Sequence, residues 1–293
     1  MNKRLRFFIE SSPRIGAALK PWYAFRRGLS AMRLDPHDRS FENLTTILVG
    51  DPQITVAEFN GIFTVSSRSD LFRRLVQYGQ YEPQLVECCK NLTDAGRDVV
   101  DVGANVGFYT VFFAKLIGPS QRVLAVEPTP NALRHLRMNL AANAVADKVE
   151  VFDGVALDVN SEIEIKYIEN REEYSSVGVM DHPSIKGSIL KSIPAQARTV
   201  DELVNQHSLR PGFVKIDVEG MEHKVIEGMK ITMAVHRPVI LCELSNPLLK
   251  KNGSTSAEVI ALIRGHGYKV HDPIFPEYSA GTRAYGDIIC VPE

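Results

Sequence analysis

From about residue 97 onward, the apolar positions of this chain fall into two alternating rhythms. Short runs rich in Val and Ile, each ended by an acid or a turn, alternate with longer stretches whose apolar residues recur at helical spacing. "RDVVDVG" predicts a strand ending at Asp101, and "GFYTVFFAKLIGP" a helix stopped by Gly118 and Pro119. "QRVLAVEP" predicts a second strand ending at Glu127. Thr129 and Pro130 suit the N-cap and first position of a helix carrying Leu133, Leu136 and Leu140 on one face. "KVEVF" and "FVKID" predict a third and fourth strand, and Met221, Val225, Ile226 and Met229 form the inner face of the helix that follows. "PVILCEL" predicts a fifth strand; Thr255 and Glu258 make a capping box for a helix closing near Gly267; "YKVHD" and "DIICVP" supply the last strands. This alternation predicts an α/β fold with a doubly wound, mostly parallel sheet.

Two segments break the rhythm. Residues 34–96 read as a hairpin followed by helices that cover the sheet. Residues 159–198 open with "SEIEIKYI", a clean alternating strand, and continue with "ENREEYSSVGVMDHPSIKGS", a polar insertion expected to act as a substrate lid.

The 44% hydrophobic and 24% charged content is that of a globular chain, and no run nears the length of a transmembrane helix. Cys88, Cys89, Cys242 and Cys290 lie in apolar stretches without metal-like spacing, as reduced core thiols of a cytoplasmic protein would. Charge changes the picture at one end. Residues 1–33 hold eight Lys or Arg against Glu10 alone, a charge of +7, although the whole chain is at −1. With Phe7, Phe8, Ile9, Trp22, Tyr23 and Phe25 among them, these residues suit a basic helical arm that packs on its own domain or contributes to a homodimer. Peripheral contact with an anionic membrane surface is the alternative. The acidic remainder speaks against nucleic acid as a partner.

In a doubly wound sheet the ligand sits outside the carboxyl ends of the strands. Asp101, Glu127, Asp153, Asp217 and Glu243 all fall at or just past predicted strand ends, and five acids on one rim suggest a site. The turn "DVGANVG" has Asp101, Gly103 and Gly107, with Asn105 where a dinucleotide-binding turn would have its middle glycine. An acid ahead of such a turn suits a ligand with an ammonium or a sulfonium, and S-adenosylmethionine has both. Glu127, at the next strand end, is placed to accept both ribose hydroxyls. The missing glycine counts against an NAD-dependent oxidoreductase.

"DVGANVGFYT", "VEPTPN", "RTVDEL", "VKIDVEGMEHKVIEG" and "PVILCEL", with "YGQYEP" upstream, resemble in order the FkbM family of S-adenosylmethionine-dependent methyltransferases. The resemblance covers roughly residues 60–290. It implies a class I methyltransferase (Rossmann-like) sheet with a last antiparallel strand, "DIICVP", forming a domain over 60–293 behind an N-terminal helical extension at 1–59. It also implies a hydroxyl acceptor on a sugar, glycan or secondary metabolite. On the cofactor side it adds Glu82 of "YGQYEP", Pro128, Ala156 and Asp217 to Asp101, Gly103, Asn105, Gly107, Glu127 and Asp153.

An alcohol must lose its proton to attack a methyl carbon, and a carboxylate raised in pKa by neighbouring carboxylates is a suitable base. Asp217 is the first choice, Glu219 the second, and Glu243 the third member of the catalytic set. Glu222 reads as an acid complementing a helix N-terminus. His182 and His223 read as surface histidines, and Trp22 as packing. A catechol-type magnesium site would need a better match than Glu243 and Asn246 offer, so no metal is expected. Carboxyl or N-methyl transfer, or a non-catalytic scaffold of the same fold, remain alternatives.

Overall fold

The structure, a computed structural model, describes residues 51–168, 171–177, 190–274, 280 and 284–293. The basic arm at residues 1–33 and His182 lie outside these. A hairpin comes first: β1 (Gln53–Val56) pairs antiparallel with β2 (Gly61–Thr64) through a turn of 3₁₀-helix at Ala57–Phe59. Two helices follow, α1 (Asp70–Tyr78), capped by the Ser69 hydroxyl accepting from the Phe72 N–H, and α2 (Pro83–Leu92). The expected alternation then runs β3 (Asp98–Val102), α3 (Phe108–Leu116), β4 (Val123–Glu127), α4 (Pro130–Ala142) and β5 (Val149–Ala156). After β6 (Ser161–Ile168), β7 (Arg171–Ser176), β8 (Leu190–Arg198) and α5 (Val200–Gln206) it resumes with β9 (Pro211–Ile216). The chain continues with α6 (Glu222–Glu227), α7 (Lys230–His236), β10 (Val239–Ser245), α8 (Asn246–Lys251), α9 (Ser256–Gly265), β11 (Tyr268–His271) and β12 (Tyr285–Pro292).

The main sheet has the order β11-β12-β10-β9-β3-β4-β5-β8-β6-β7. From β10 to β8 neighbours run parallel; β12 enters antiparallel to β10, and β6 and β7 extend the other edge antiparallel. The chain starts in the middle at β3, winds out through β4 and β5, then returns to the other side of β3 as β9. The order therefore reverses between β3 and β9, and the crevice for a ligand opens there.

Strand alternation gives the sheet two different faces. Val100, Val102, Val214, Ile216, Ile240 and Cys242 point to an aliphatic layer filled by α5, α6, α7 and α9. The intervening positions carry Val99, Phe213, Asp101 and Lys215, all buried, beneath an aromatic layer that includes the Phe113 ring at 5.2 Å from Phe213. Phe59, wholly buried, lies 5.0–6.3 Å from the rings of Phe63, Tyr81, Phe108, Tyr109 and Phe112. The domain therefore takes in the hairpin from Gln53, and the boundary read at 59/60 falls inside that hairpin.

Where it is described, the insertion at 159–198 is sheet; most of its polar stretch, read as a lid, lies outside the described residues. β6 pairs with β7 and with β8, and β8 continues the parallel register of β5. The sequence of β8, "LKSIPAQAR", hides a strand behind exposed polar residues and Pro194. All four cysteines are free; Cys88 is half-buried and the other three are buried. No helix among the described residues is long and apolar enough to cross a membrane.

At the switch point, Gly103 has φ +81°, and a Cβ there would stand 1.8 Å from the Asp217 carbonyl oxygen. Gly253 has φ +83° but open space around it. Gly253→Ala is expected to cost only the left-handed penalty, about 1–2 kcal/mol. Gly103→Ala should add the displacement of the β9 tip and exceed it by at least about 1 kcal/mol. Urea unfolding of the two variants makes the comparison; equal losses would mean that the close approach is not a constraint.

Candidate active site

After β3 the chain turns sharply. The N–H groups of Gly103 and Ala104 both donate to the Val126 carbonyl at 3.0 Å, Asn105 is left-handed at φ +51°, and Gly107 opens α3. Glu127, the last residue of β4, closes over this turn. Its Oε2 accepts from the Asn105 N–H at 2.9 Å, and its Oε1 from the Thr129 N–H at 2.9 Å and hydroxyl at 2.6 Å. Thr129 thus stands at the N-cap of α4 with Pro130 as its first residue, as expected, but gives its hydroxyl to Glu127 and makes no side-chain cap bond. Burial pushes the Glu127 carboxyl up to about 7 despite these donors.

Above the switch point lies a cavity of about 560 Å³, within the range of small-molecule sites. It brings together Glu82, Gly103, Asn105, Glu127, Pro128, Ala156, Asp217, Glu219 and Glu243. Arg74, Tyr81, Ile165, Ser175, Val177 and Tyr285 complete walls that sequence reasoning did not foresee. Asp101, Gly107 and Asp153 do not line it. Asp101 is wholly buried beneath the turn, bonded by the Thr110 hydroxyl at 2.6 Å. Gly107 packs against Leu136. Asp153 points to a separate surface hollow, 3.7 Å from Arg137. His223 is also absent from the lining, and Asn246 Oδ1 accepts from the Ser256 N–H at the start of α9.

The residue that organises the acids is Lys215, which sequence reasoning passed over. It is buried on β9, directly opposite Asp101 on β3. Its Nζ lies 3.1 Å from Asp217 Oδ2 and 4.8 Å from the centroid of the Tyr109 ring. Tyr109 in turn donates its hydroxyl to Glu82 Oε2 at 2.9 Å, from the left-handed residue that precedes α2. Burial tends to lower the Lys215 ammonium's pKa, but Asp217, Asp101 and Glu82 outweigh it and hold the pKa above its usual value. Burial, which outweighs Lys215, raises both Glu82 and Asp101.

Glu243, two residues before the end of β10, is exposed to the cavity. The nearby Asp217 carboxylate, then burial, then Asp287, Glu82 and Glu219 push its pKa well above the carboxylate range. Glu222 has a different task from the cavity acids. It is buried at the first turn of α6, and its Oε1 accepts from the Gly220 N–H at 2.8 Å, fixing the loop that presents Asp217 and Glu219. Burial raises it to about 7.

With this geometry in hand, likeness to known proteins becomes informative. Residues 101–270 match the methyltransferase FkbM domain model, which is more than half of the chain. The chain belongs to the FkbM methyltransferase family. A protein named 31-O-demethyl-FK506 methyltransferase FkbM, from Streptomyces tacrolimicus, is 26% identical over 65% of this chain and 79% of its own length. A catechol O-methyltransferase of Mycobacterium tuberculosis is 42% identical over a stretch covering 21% of this chain and 28% of that protein. A crystal structure of a methyltransferase FkbM from Methylobacillus flagellatus aligns at a TM-score of 0.43 with 15% identity, over 69% of this chain and 45% of that one. The sheet, with β12 inserted antiparallel beside β10, is the class I methyltransferase fold, and the cofactor of this family is S-adenosylmethionine. The cavity's chemistry fits it: carboxyl groups suit a sulfonium and an ammonium, whereas a pyrophosphate would be repelled.

Because Glu222 binds its proton more tightly folded than unfolded, its contribution to stability is complete below about 4.5 and fades as pH rises through about 7. Glu222→Gln keeps the oxygen that accepts from Gly220 and removes this titration. Between pH 5 and 8 the wild type should lose stability relative to the variant, by about 1–3 kcal/mol. Denaturant melts across that range measure it, and parallel curves would refute it.

Proposed function

We propose that this chain is an S-adenosylmethionine-dependent O-methyltransferase acting on a hydroxyl of an uncharged polar small molecule or glycan. The charge pattern of the cavity carries this reading. Among the described residues, Asp70, Glu82, Glu127, Asp217, Glu219 and Glu243 line it, with Arg74 as the one cation. A carboxylate acceptor would be repelled by these walls. An amine would be held as its ammonium, without the lone pair that attack requires. A hydroxyl is neutral and needs a base, which a carboxylate supplies. The name of the Streptomyces relative, which specifies an oxygen, supports the same atom.

When bound, S-adenosylmethionine supplies a methyl carbon activated by its sulfonium. In this reading Glu127, locked by Asn105 and Thr129, accepts the ribose hydroxyls, and Gly103, Asn105, Pro128 and Ala156 form the adjoining floor. Asp217 was the first choice of base from sequence, but its carboxylate is engaged by Lys215. Glu243 is the better base, since among the described residues it makes no such ion pair, and the negative charge around it strengthens its hold on a proton. Asp217 then orients the acceptor with Glu219, which occupies a left-handed position on the same loop.

Two measurements test the assignment. Glu127→Ala is expected to weaken S-adenosylhomocysteine binding by about 1.5–3 kcal/mol by calorimetry, through loss of charge-assisted hydrogen bonds; unchanged affinity would remove Glu127 from the site. With tritiated S-adenosylmethionine and a small-molecule extract, label should enter a product stable to mild alkali, as an ether is. Release of the label by alkali would mean a methyl ester and overturn the hydroxyl reading. In the same assay Glu243→Gln should be slower by about 100-fold or more, and Asp217→Asn less impaired. The reverse ranking would return the base to Asp217.

A further inference from the structure

We propose that Arg74 takes the carboxylate at the amino-acid end of the cofactor, beside Glu82, which faces the ammonium carried on the same carbon. This rests on the reading of the cavity as the S-adenosylmethionine site.

The acids of the cavity answer only part of this ligand's charge. S-adenosylmethionine carries a sulfonium and an ammonium, which carboxylates suit, and also a carboxylate, which they repel. A guanidinium matches a carboxylate through two parallel N–H···O bonds. Arg74 is a guanidinium in the right place, since it lines the cavity from α1 together with Asp70, one helical turn earlier, and Leu71. Asp70 is engaged by Arg73, whose Nε lies 2.9 Å from its Oδ1. Arg74 itself is exposed and, among the described residues, makes no hydrogen bond or ion pair. Its fork of donors is therefore open to a ligand.

The surroundings of Arg74 select the amino-acid end of the cofactor. An α-amino acid holds its two charges on one carbon, so the cation for the carboxylate must stand close to the acid for the ammonium. Arg74 and Glu82 reach the cavity from one short piece of chain. Gly79, left-handed at φ +68°, ends α1, and Glu82, left-handed at φ +48°, precedes α2. The Tyr109 hydroxyl holds Glu82 there by donating to its Oε2 at 2.9 Å. Burial tends to lower the pKa of Arg74, but Tyr81, then Glu82, Glu243 and Asp70, outweigh burial and keep it above the ordinary value. Glu82 is thus the carboxyl group that acts on Arg74 most strongly, although the two are not joined in an ion pair. A cation and an acid held near each other but apart suit a zwitterion.

Calorimetric titration of the full-length protein compares S-adenosylhomocysteine with its decarboxylated analogue, which keeps the adenosine, the thioether and the amine. The wild type should bind S-adenosylhomocysteine about 10- to 100-fold more tightly than the analogue, through the charge-assisted pair that only the first can make. Arg74→Ala should weaken S-adenosylhomocysteine by about that factor and leave the analogue as it is, so that the preference disappears. Equal binding of the two ligands by the wild type overturns the proposal, as does a preference that survives in Arg74→Ala. Weakening of both ligands by one factor in Arg74→Ala also overturns it, because a carboxylate partner acts on only one of them. If the wild type binds neither ligand, the cofactor reading fails and the proposal falls with it, whereas binding with the preference unchanged in Arg74→Ala defeats the proposal alone.

Discussion

The site depends on one buried ammonium. Carboxyl groups from β3, β9 and the start of α2 converge on the crevice where the strand order reverses, and removing such groups from water is costly unless a counter-charge is close. Lys215 provides it from within the sheet, between Asp101 beside it and Asp217 at the strand tip. Helix α3 then shields the charge on consecutive residues: Tyr109 lays its ring near the ammonium and sends its hydroxyl to Glu82, while Thr110 bonds Asp101. The aromatic layer of Phe59 and its neighbours is the packing that holds α3 at that depth. The turn after β3, the acid cluster and the hairpin are therefore one mechanical unit.

Much of this fold was legible because periodicity reports burial directly. Strand ends at Val102, Glu127 and Ile216 lie within a residue of where the apolar runs stop, and the Thr255 and Glu258 box caps α9 as its spacing implies. The turn at Gly103 and the acids Glu127, Asp217 and Glu243 were legible for a related reason, since a doubly wound sheet presents its strand ends to one rim. Position along a strand does not say which way a side chain turns, however. Asp101 and Asp153 also sit near strand ends, yet one faces a buried lysine and the other faces Arg137 outside the cavity.

Lys215 itself was not legible. A lysine within a strand reads as a solvent-facing residue, and only three separate segments, distant in sequence, turn its surroundings into a charged interior. Strand β8 was hidden for the opposite reason: it lies towards an edge, where exposed polar positions replace the apolar run. Arg74 reaches the cavity from a helix whose sequence carries no signal of a ligand, and Tyr81 lies beside Glu82 in "YGQYEP", where only the acid was singled out.

The walls of the cavity come from two kinds of sheet, and this separates two traits along the chain. The floor belongs to the parallel strands, where neighbours on both sides and helices on both faces fix every backbone position. Ile165, Ser175 and Val177 come from the antiparallel extension, which joins the sheet beside β8 and packs Ile165 with Val155, Leu157 and Met221. In the reading proposed above, exchanging that stretch would reshape the acceptor side of the cavity and leave the Lys215 cluster in place.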